Sequence, residues 1–417
     1  MKKAILILFS LITSITLFAQ DITGQWDGIL KIPSGQLTIV FNISKTENGY
    51  TSTMDSPDQG AKGIPVASTK FETPKITLTA SAIGVEYTGT LENNSIVGDF
   101  KQGGHSLPLN LTKSTGEKKI EKPTDNSIVE TAITLKTNTG DIYGTLTTPK
   151  KFKTTSVALI IAGSGPTDRN GNIQQLKSDA LKQLAQSLAH NNIASLRFDK
   201  RGVAESMSAM KNESDLRFED YINDAKDWIQ LLKQDKRFTE IVVIGHSEGS
   251  LIGMIASTSA DKFISIAGPG QSIDKILKIQ LSSEPKEVKE LAFPILDSLA
   301  QGKTVEKVDP NLNSLFRKSI QPYMISWIKY NPQIEIQKLT IPTLIIQGTK
   351  DIQVSTEEAN LLSKGNPKAQ LILIDKMNHP LKTVEGDLEE NKAAYNNPDL
   401  PINKELVKVI SNFILKD

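Results

Sequence analysis

The chain has 417 residues, of which 38% are hydrophobic and 23% charged, as is typical of a soluble globular protein with more than one domain. Its 48 basic and 47 acidic residues give a formal net charge of +1, and the absence of a basic block argues against nucleic acid as a partner. Cysteine is absent, which excludes disulfide bonds, thiolate metal sites and cysteine nucleophiles.

Residues 1–19 have the pattern of a secretory signal peptide. Two lysines precede an apolar run over residues 4–18, and Ala19 offers a small residue for cleavage. The alternative is an uncleaved anchor, but the run is interrupted by serines and threonines and is shorter than the roughly 20 residues that span a bilayer. We therefore expect a secreted or periplasmic protein with no integral membrane segment after cleavage.

Residues 20–113 predict an antiparallel β domain. Apolar residues alternate with polar ones, as in residues 37–44, and short turns rich in glycine and asparagine separate such runs. The opening G-Q-W-D-G at residues 24–28 resembles the first strand of lipocalin-like barrels, which favours a barrel over a sandwich. A catalytic set is not evident here, and the polar residues 114–127 predict a linker.

From residue 128 to residue 417 the pattern changes to alternating strands and helices, which indicates a mostly parallel sheet covered by helices on both faces. Two strand-like segments lie around Ile133 and Tyr143. The apolar strands that follow are predicted at residues 157–162, 193–198, 241–244, 263–267, 343–347 and 370–374. Residues 271–332 are predominantly helical, and we expect them to form a cap over the carboxyl ends of the strands.

A G-x-S-x-G pentapeptide at residues 245–249 follows the apolar run 241–244 and precedes a helical stretch. This order predicts a sharp turn that raises Ser247 at the end of a strand, with the N–H of Glu248 at the start of a helix. A serine in that position can act as a nucleophile if a base is near, and a helix N-terminus favours negative charge on a substrate oxygen.

His379 is the predicted base, because the other three histidines are poorly placed. His246 lies inside the pentapeptide, in the sharp turn or elbow that carries Ser247, and we expect its side chain to point away from the serine. His190 ends a helix, and His105 lies in a turn of the other domain. His379 follows the last predicted strand, where the base of a serine hydrolase of this topology is expected.

Asp351 is the predicted acid that orients this histidine. It follows the strand at residues 343–347 and precedes His379 by 28 residues, so that the chain order is Ser, Asp, His. Asp375 is a rival carboxylate, but its closeness in sequence to His379 makes it a better candidate for capping the loop.

Residues 163–171 form a glycine-rich loop after the strand at 157–162. Glycines let backbone N–H groups approach a substrate oxygen, and we predict that the N–H groups of Ser164 and Glu248 form the oxyanion hole. A phosphate-binding loop is excluded, because no Lys-Ser or Lys-Thr pair follows.

Three motifs resemble a bacterial branch of serine esterases with the α/β-hydrolase fold: A-G-S-G-P-T-D-R at residues 162–169, R-F-D-K-R-G at 197–202 and G-H-S-E-G at 245–249. The chain departs from that branch where Ala162 replaces a frequent histidine and Ala204 replaces a usual glycine. The resemblance implies carboxylic ester hydrolysis. In the second motif, Asp199, Lys200 and Arg201 are interpreted as a structural ion-pair cluster.

The sequence thus predicts a secreted two-domain serine hydrolase that cleaves small-molecule or lipid-like esters through an acyl-enzyme. This chemistry needs no cofactor and no metal. A peptidase or aminopeptidase of the same fold is one alternative. A binding protein with a vestigial hydrolase domain is another. The preferred acyl and alcohol groups and the oligomeric state stay open at this stage.

Overall fold

The computed structural model describes residues 21–32, 35–47, 49–57, 61–114, 125–173 and 176–416. The chain divides into two compact units, Met1–Pro123 and Thr124–Asp417. The predicted signal peptide and most of the predicted linker lie outside the described residues. Within the described part of the chain, none of the helices combines the length and the apolar character that a membrane span requires.

The first unit is an antiparallel sheet of ten strands in its described residues. They are β1 Gly24–Ile32, β2 Gly35–Thr46, β3 Gly49–Ser56, β4 Ala61–Val66, β5 Ser68–Glu72, β6 Lys75–Ala80, β7 Val85–Glu92, β8 Ser95–Gln102, β9 His105–Pro108 and β10 Leu111–Lys113. The strand order is β4-β3-β2-β1-β10-β8-β7-β6-β5, with β9 paired to β8. A short 3-10 helix at Ser81–Ile83 joins β6 to β7.

The two ends of this sheet curl toward each other. The hydroxyls of Ser52 on β3 and Thr69 on β5 are 2.6 Å apart, so the sheet forms a near-closed barrel rather than a sandwich. Its interior is apolar, and two buried polar side chains in it are paired: the Trp26 indole donates to the Ile22 carbonyl, and Tyr87 donates to a main-chain oxygen. Alternate side chains along the strands therefore face the interior and form a separate core for this unit.

The second unit is built on a mixed sheet of eight described strands, in the order β11-β12-β14-β13-β15-β16-β17-β18. They are β11 Ile128–Thr137, β12 Gly140–Pro149, β13 Thr155–Ile161, β14 Ala194–Phe198, β15 Phe238–His246, β16 Lys262–Ile266, β17 Thr343–Gly348 and β18 Gln370–Ile374. β12 pairs antiparallel with β11 and β14, and the pairs from β14 to β18 are parallel.

Helices cover both faces of this sheet. They are α1 Ala180–His190, α2 Phe218–Gln234, α3 Glu248–Ala256, α4 Ile273–Gln280, α5 Lys286–Ala300, α6 Asn313–Phe316, α7 Gln321–Ile328, α8 Pro332–Gln337, α9 Thr356–Gly365, α10 Leu388–Ala394 and α11 Lys404–Leu415. Short 3-10 helices lie at Ala204–Ala209, Glu213–Asp215, Ser257–Ser259, Leu281–Ser283 and Pro310–Leu312. Alternate residues of the parallel strands enter two cores, Ile160 on the face of α1 and α11 and Leu159 on the face of α2 and α3.

The helices α4 to α7 lie between β16 and β17 in the chain. α8, which follows them, packs against α3 and α9 at the flank of the sheet. The predicted fold class is therefore confirmed: an α/β-hydrolase fold with a helical insertion, preceded in the chain by an antiparallel near-barrel.

Candidate active site

Ser247 sits at a sharp turn between β15 and α3. Its backbone has φ 56° and ψ −121°, in a region that non-glycine residues seldom adopt, and its N–H donates to the Ile266 carbonyl at 2.9 Å. Strain of this kind persists only where the surrounding structure enforces it, and it clusters at functional sites. The turn holds the Ser247 side chain at the carboxyl end of the parallel strands, as the pentapeptide predicts.

The glycines on either side of Ser247 are required by close backbone approach rather than by their own φ angles. A Cβ at Gly245 would lie 2.2 Å from the Gly249 carbonyl oxygen, and a Cβ at Gly249 would lie 2.3 Å from the Ile161 oxygen. Any side chain at either position would push α3 away from the strands. The G-x-S-x-G spacing is thus a packing requirement of the strand, turn and helix.

Asp351 and His379 meet at the ends of β17 and β18. His379 Nδ1 lies 2.8 Å from Asp351 Oδ2, and both side chains are buried. Since a carboxylate only accepts, Nδ1 carries the proton, and Nε2 of the neutral ring is left as the acceptor. His379 also lines a cavity together with Ser247. The sequence-predicted triad residues are therefore brought to one place.

Asp351 is held by donors on both of its carboxylate oxygens. Oδ1 accepts the N–H groups of Gln353 and Val354 at 2.8 and 2.9 Å, and Oδ2 accepts Gln347 Nε2 at 3.0 Å. Burial alone raises the pKa of Asp351, but the charge and hydrogen bonds of His379 and these N–H groups outweigh it, so the net pKa is lowered. Gln347, fully buried at the end of β17, is a positioning residue that sequence reasoning missed.

Asp375 takes the other role foreseen for it. Its Oδ1 accepts the Thr349 hydroxyl at 3.1 Å on an exposed loop, and the Lys376 N–H in turn donates to Thr349 Oγ1. This is a loop cap, and the partner of His379 is Asp351.

The ring of His246 packs against the ring of His379, a contact that sequence reasoning missed. The ring centroids are 4.8 Å apart, and His246 Nε2 lies 2.9 Å from the His379 carbonyl oxygen, to which it must donate. Burial and, to a smaller extent, the neighbouring His379 lower the pKa of His246 to about 3. His246 is therefore neutral and clamps the main chain of the base. A residue inside the elbow gives no such signal in sequence.

Ion pairs anchor the glycine-rich loop after β13. The Arg169 backbone N–H donates to Asp199 Oδ1 at 2.7 Å, and its guanidinium donates to Oδ2 at 2.6 Å. Arg201 makes a bidentate pair with Asp224 on α2. Asp199 and Arg201 are thus structural, as interpreted from sequence.

Lys200 differs from Asp199 and Arg201, because it contacts Gly163, which precedes Ser164, and the side chain of Glu248. Its side chain is 1% exposed, and Nζ donates to the Gly163 carbonyl at 2.6 Å and to Glu248 Oε2 at 3.1 Å. Glu248 Oε1 also accepts the Tyr323 hydroxyl, whose pKa is raised well above its usual value by burial and by the Glu248 charge. These contacts form a buried network beside Ser164, and Lys200, Glu248 and Tyr323 also line the larger cavity.

Two cavities meet at Ser247. The smaller, of about 220 Å³, is lined by Leu181, His379 and Tyr395 among others, and the larger, of about 410 Å³, lies under the cap helices. Ser164 and Ser247 line both. The walls of the larger cavity are mainly apolar: Val203, Met210, Leu216, Ile273, Ile276, Leu277, Leu315, Ile320, Tyr323, Met324 and Trp327. A substrate whose reacting carbonyl lies at Ser247 could extend the groups on its two sides into the two cavities.

Ala204, which stands where the similar esterases usually have glycine, has φ 45°. Glycine adopts this left-handed conformation without strain, whereas an alanine does not. The backbone at Ala204 is therefore strained.

An eight-stranded sheet with a strained serine elbow and a buried Asp-His pair is the arrangement of the α/β-hydrolase fold. Residues 176–324 match the family described as serine aminopeptidase, S33. Over 258 residues the chain is 27% identical to the esterase EstD of Thermotoga maritima, an alignment that covers 58% of each chain. The chain thus spans 58% of the length of this curated relative.

The solved structures to which the chain is similar include Est1E from Butyrivibrio proteoclasticus with ferulic acid bound. It is 18% identical, with a TM-score of 0.48, and the match covers 68% of this chain and all of that one. The esterase EaEST from Exiguobacterium antarcticum is 15% identical, with a TM-score of 0.42, over 67% of this chain and 98% of that one.

Proposed function

We propose that this protein is a serine hydrolase that cleaves carboxylic esters through an acyl-enzyme intermediate. The observation that carries the proposal is the 2.8 Å contact between Asp351 and His379, whose ring lines the same cavity as Ser247. The similarity to an esterase of Thermotoga maritima supports the choice of substrate class.

In the proposed acylation, Ser247 Oγ attacks the ester carbonyl carbon while its proton passes to His379 Nε2. The N–H groups of Ser164 and Glu248 bind the oxyanion of the tetrahedral intermediate. His379 then protonates the alcohol oxygen as the carbon–oxygen bond breaks, and Asp351 stabilises the transient imidazolium. In deacylation, water gives a proton to His379 and attacks the acyl carbon. The proton returns to Ser247 as the acid leaves.

The charges around the two cavities favour an ester over an aminopeptidase substrate. A free peptide amine needs an unpaired carboxylate in the site. Among the described residues, the carboxylates that line the cavities are Glu213 and Glu248. Glu213 accepts the guanidinium of Arg317, and Glu248 accepts Lys200 and Tyr323, so both are already paired.

A peptidase is the second candidate, because residues 176–324 match a family described as serine aminopeptidase. The experiment that separates the two is a panel of p-nitrophenyl esters of graded acyl length beside aminoacyl p-nitroanilides. The proposal expects hydrolysis of the esters, with little hydrolysis of the anilides. The reverse order of kcat/KM would identify an aminopeptidase.

The third possibility, a binding protein without activity, accounts poorly for Ser247. A backbone held at φ 56° costs on the order of 1–3 kcal/mol, which a site that performs no reaction does not need. The apolar cavity of about 410 Å³ supports a small-molecule or lipid-like ester as the substrate.

Export from the cytoplasm and an accessory role of the β unit belong to the same proposal. The basic and apolar pattern of residues 1–19 supports cleavage after Ala19, and the near-barrel supports a lipocalin-like module that attaches the enzyme to a polymer or a surface. Determining the N-terminal residue of the protein from a periplasmic fraction tests the export. A chain that still begins at Met1 would contradict it.

A further inference from the structure

Lys200 has a set of contacts that the mechanism above leaves unused. Its ammonium is buried, donates to the Gly163 carbonyl at 2.6 Å and to the Glu248 carboxylate at 3.1 Å, and lies 4.9 Å from the centre of the Tyr221 ring. Burial of a lysine is costly unless it is paired, so these contacts hold its position. Gly163 precedes Ser164, and Glu248 follows Ser247.

The first contact orients the Ser164 donor. The carbonyl of Gly163 and the N–H of Ser164 belong to one peptide group, which is planar, and in the trans form the two bonds point in opposite directions. Because the Gly163 carbonyl points at Lys200, the Ser164 N–H points away from Lys200. Gly163 and Ser164 both line the cavity that contains Ser247.

The second contact fixes the residue that supplies the other donor. Glu248 opens α3, and the first N–H groups of a helix have no acceptor within it. Its carboxylate is held by Lys200 on Oε2 and by the Tyr323 hydroxyl on Oε1. The side chain of Glu248 is thus anchored on the same ammonium as the Gly163 carbonyl.

We propose that Lys200 is the positioning residue of the oxyanion hole, with one ammonium setting the directions of the Ser164 and Glu248 N–H groups. The inference rests on the proposed function, because an oxyanion hole serves acyl transfer. Lys200 also lines the larger cavity, but its ammonium is engaged by the Gly163 carbonyl and the Glu248 carboxylate, so it acts through these two residues. Its loss weakens binding of the tetrahedral intermediate more than binding of the ester.

The test is Lys200→Met, which keeps an unbranched side chain as far as the ε position and removes the ammonium with its donors. We expect kcat for p-nitrophenyl acetate to fall about 10²-fold, as for loss of one oxyanion donor, with KM changed less than about threefold. The inhibition constant of a trifluoromethyl ketone, which forms an anionic tetrahedral adduct with serine, should rise by a similar factor.

The matched control is Lys262→Met at the start of β16. Lys262 also binds one carboxylate, Glu240 at 2.9 Å, and main-chain carbonyls, those of Ile414 at 2.7 Å and Lys416 at 3.1 Å, but it lies at the amino end of the strands, whereas Ser247 follows their carboxyl end. Its replacement removes the same kinds of contact and should leave kcat and the inhibition constant within about twofold of the wild type.

A double variant separates positioning from simple burial of a charge. Lys200→Met leaves Glu248 buried without its cation, whereas Lys200→Met/Glu248→Gln removes that charge and keeps an acceptor for Tyr323, so it should fold even if the single variant does not. If Lys200 positions the two donors, kcat should stay low in the double variant. Recovery of kcat to within threefold of the wild type would overturn the inference, as would an unchanged kcat in Lys200→Met.

The rate of labelling by a fluorophosphonate gives a readout that does not depend on ester hydrolysis. The phosphoryl oxygen of this probe accepts hydrogen bonds from the same two N–H groups as the oxyanion. If the wild type is labelled at Ser247 but hydrolyses no ester, the proposed function is contradicted. The labelling rates of the variants can still be compared, so the inference about Lys200 is tested separately. Slower labelling of the double variant, with normal labelling of Lys262→Met, supports the inference. Equal labelling rates in all three proteins would overturn it.

Discussion

At the scale of single residues, Asp351 has two tasks that one substitution separates. In Asp351→Asn the remaining oxygen can still accept the N–H groups of Gln353 and Val354, but the amide then faces His379 with a donor. The imidazole is forced into the wrong tautomer, and kcat should fall about 10⁴-fold while the fold is kept. Steady-state kinetics on a short ester and circular dichroism measure the two effects.

Asp375→Asn is the matched control, since Asp375 only accepts the Thr349 hydroxyl on an exposed loop. It should leave kcat within about twofold of the wild type. A large loss in Asp375→Asn with normal activity in Asp351→Asn would mean that the acid has been misassigned.

His246 makes the stability of the protein depend on pH. Its pKa is lowered from 6.5 to about 3, so between these values the unfolded chain binds a proton that the folded chain does not. Stability is therefore lost as the pH falls through this window, by up to about 1.4 kcal/mol per pH unit from this group. The urea midpoint of the wild type should fall between pH 7 and pH 5 by more than that of His246→Gln.

The control for this prediction is His105→Gln, which removes an exposed histidine of the other unit. Its urea midpoint should follow the wild type at both pH values. If His246→Gln loses as much stability as the wild type between pH 7 and pH 5, then His246 takes up its proton in the folded state and the pKa has been misjudged.

Residues whose roles depend on the chain order of motifs were predictable, and residues whose roles depend on distant contacts were not. Ser247, Asp351 and His379 follow three identifiable strands in a fixed order. Gln347 lies in an apolar run, and Lys200 contacts Gly163 and Glu248, which are 37 and 48 residues away in the chain. Contacts of that kind exist only after the sheet has brought the strand ends together.

At the scale of elements, the packing of α3 against β13 is the contact that the elbow depends on. In Gly249→Ala the new Cβ would lie 2.3 Å from the Ile161 carbonyl and 2.6 Å from the Ala162 carbonyl, and main chain cannot move aside locally. We expect a loss of about 1–3 kcal/mol in the free energy of unfolding, together with lower activity, because the shift reaches Ser247.

Gly253→Ala is the comparison within the same helix. Its Cβ would lie 2.9 Å from a ring carbon of Phe263 and 3.1 Å from a Val243 methyl, and side chains of this kind can adjust. Urea unfolding of the two variants should show the larger loss at Gly249. A Gly249→Ala protein as stable as the wild type would contradict the close packing of the elbow.

The central strands β13 to β17 were predictable because most of their residues are buried and they read as continuous apolar runs. β17 and β18 begin within one residue of their predicted starts at 343 and 370. The helical insertion was less sharply bounded, since α8 continues to Gln337, beyond the predicted end at residue 332. Helical periodicity does not distinguish a cap helix from one that packs at the flank of the sheet.

At the scale of the whole molecule, each unit has its own apolar core, and the residues of the candidate site all belong to Thr124–Asp417. A truncated chain that begins at residue 127 should therefore remain soluble and hydrolyse a short ester at a rate close to that of the full protein. The two values of kcat/KM are compared for chains of equal purity. A loss of more than about tenfold, or roughly 1.4 kcal/mol, in a folded protein would show that the β unit helps to build the site.

The central claim is that Ser247 is the nucleophile of an acyl-transfer site, and labelling by a fluorophosphonate tests it most directly. The control is Ser250→Ala, which removes a buried serine three residues further along that pairs with Ser265. The account predicts that the wild type and Ser250→Ala are labelled, with the adduct on the peptide that contains Ser247, and that Ser247→Ala is not. Labelling that persists in Ser247→Ala, or a wild type that resists the probe, would contradict it.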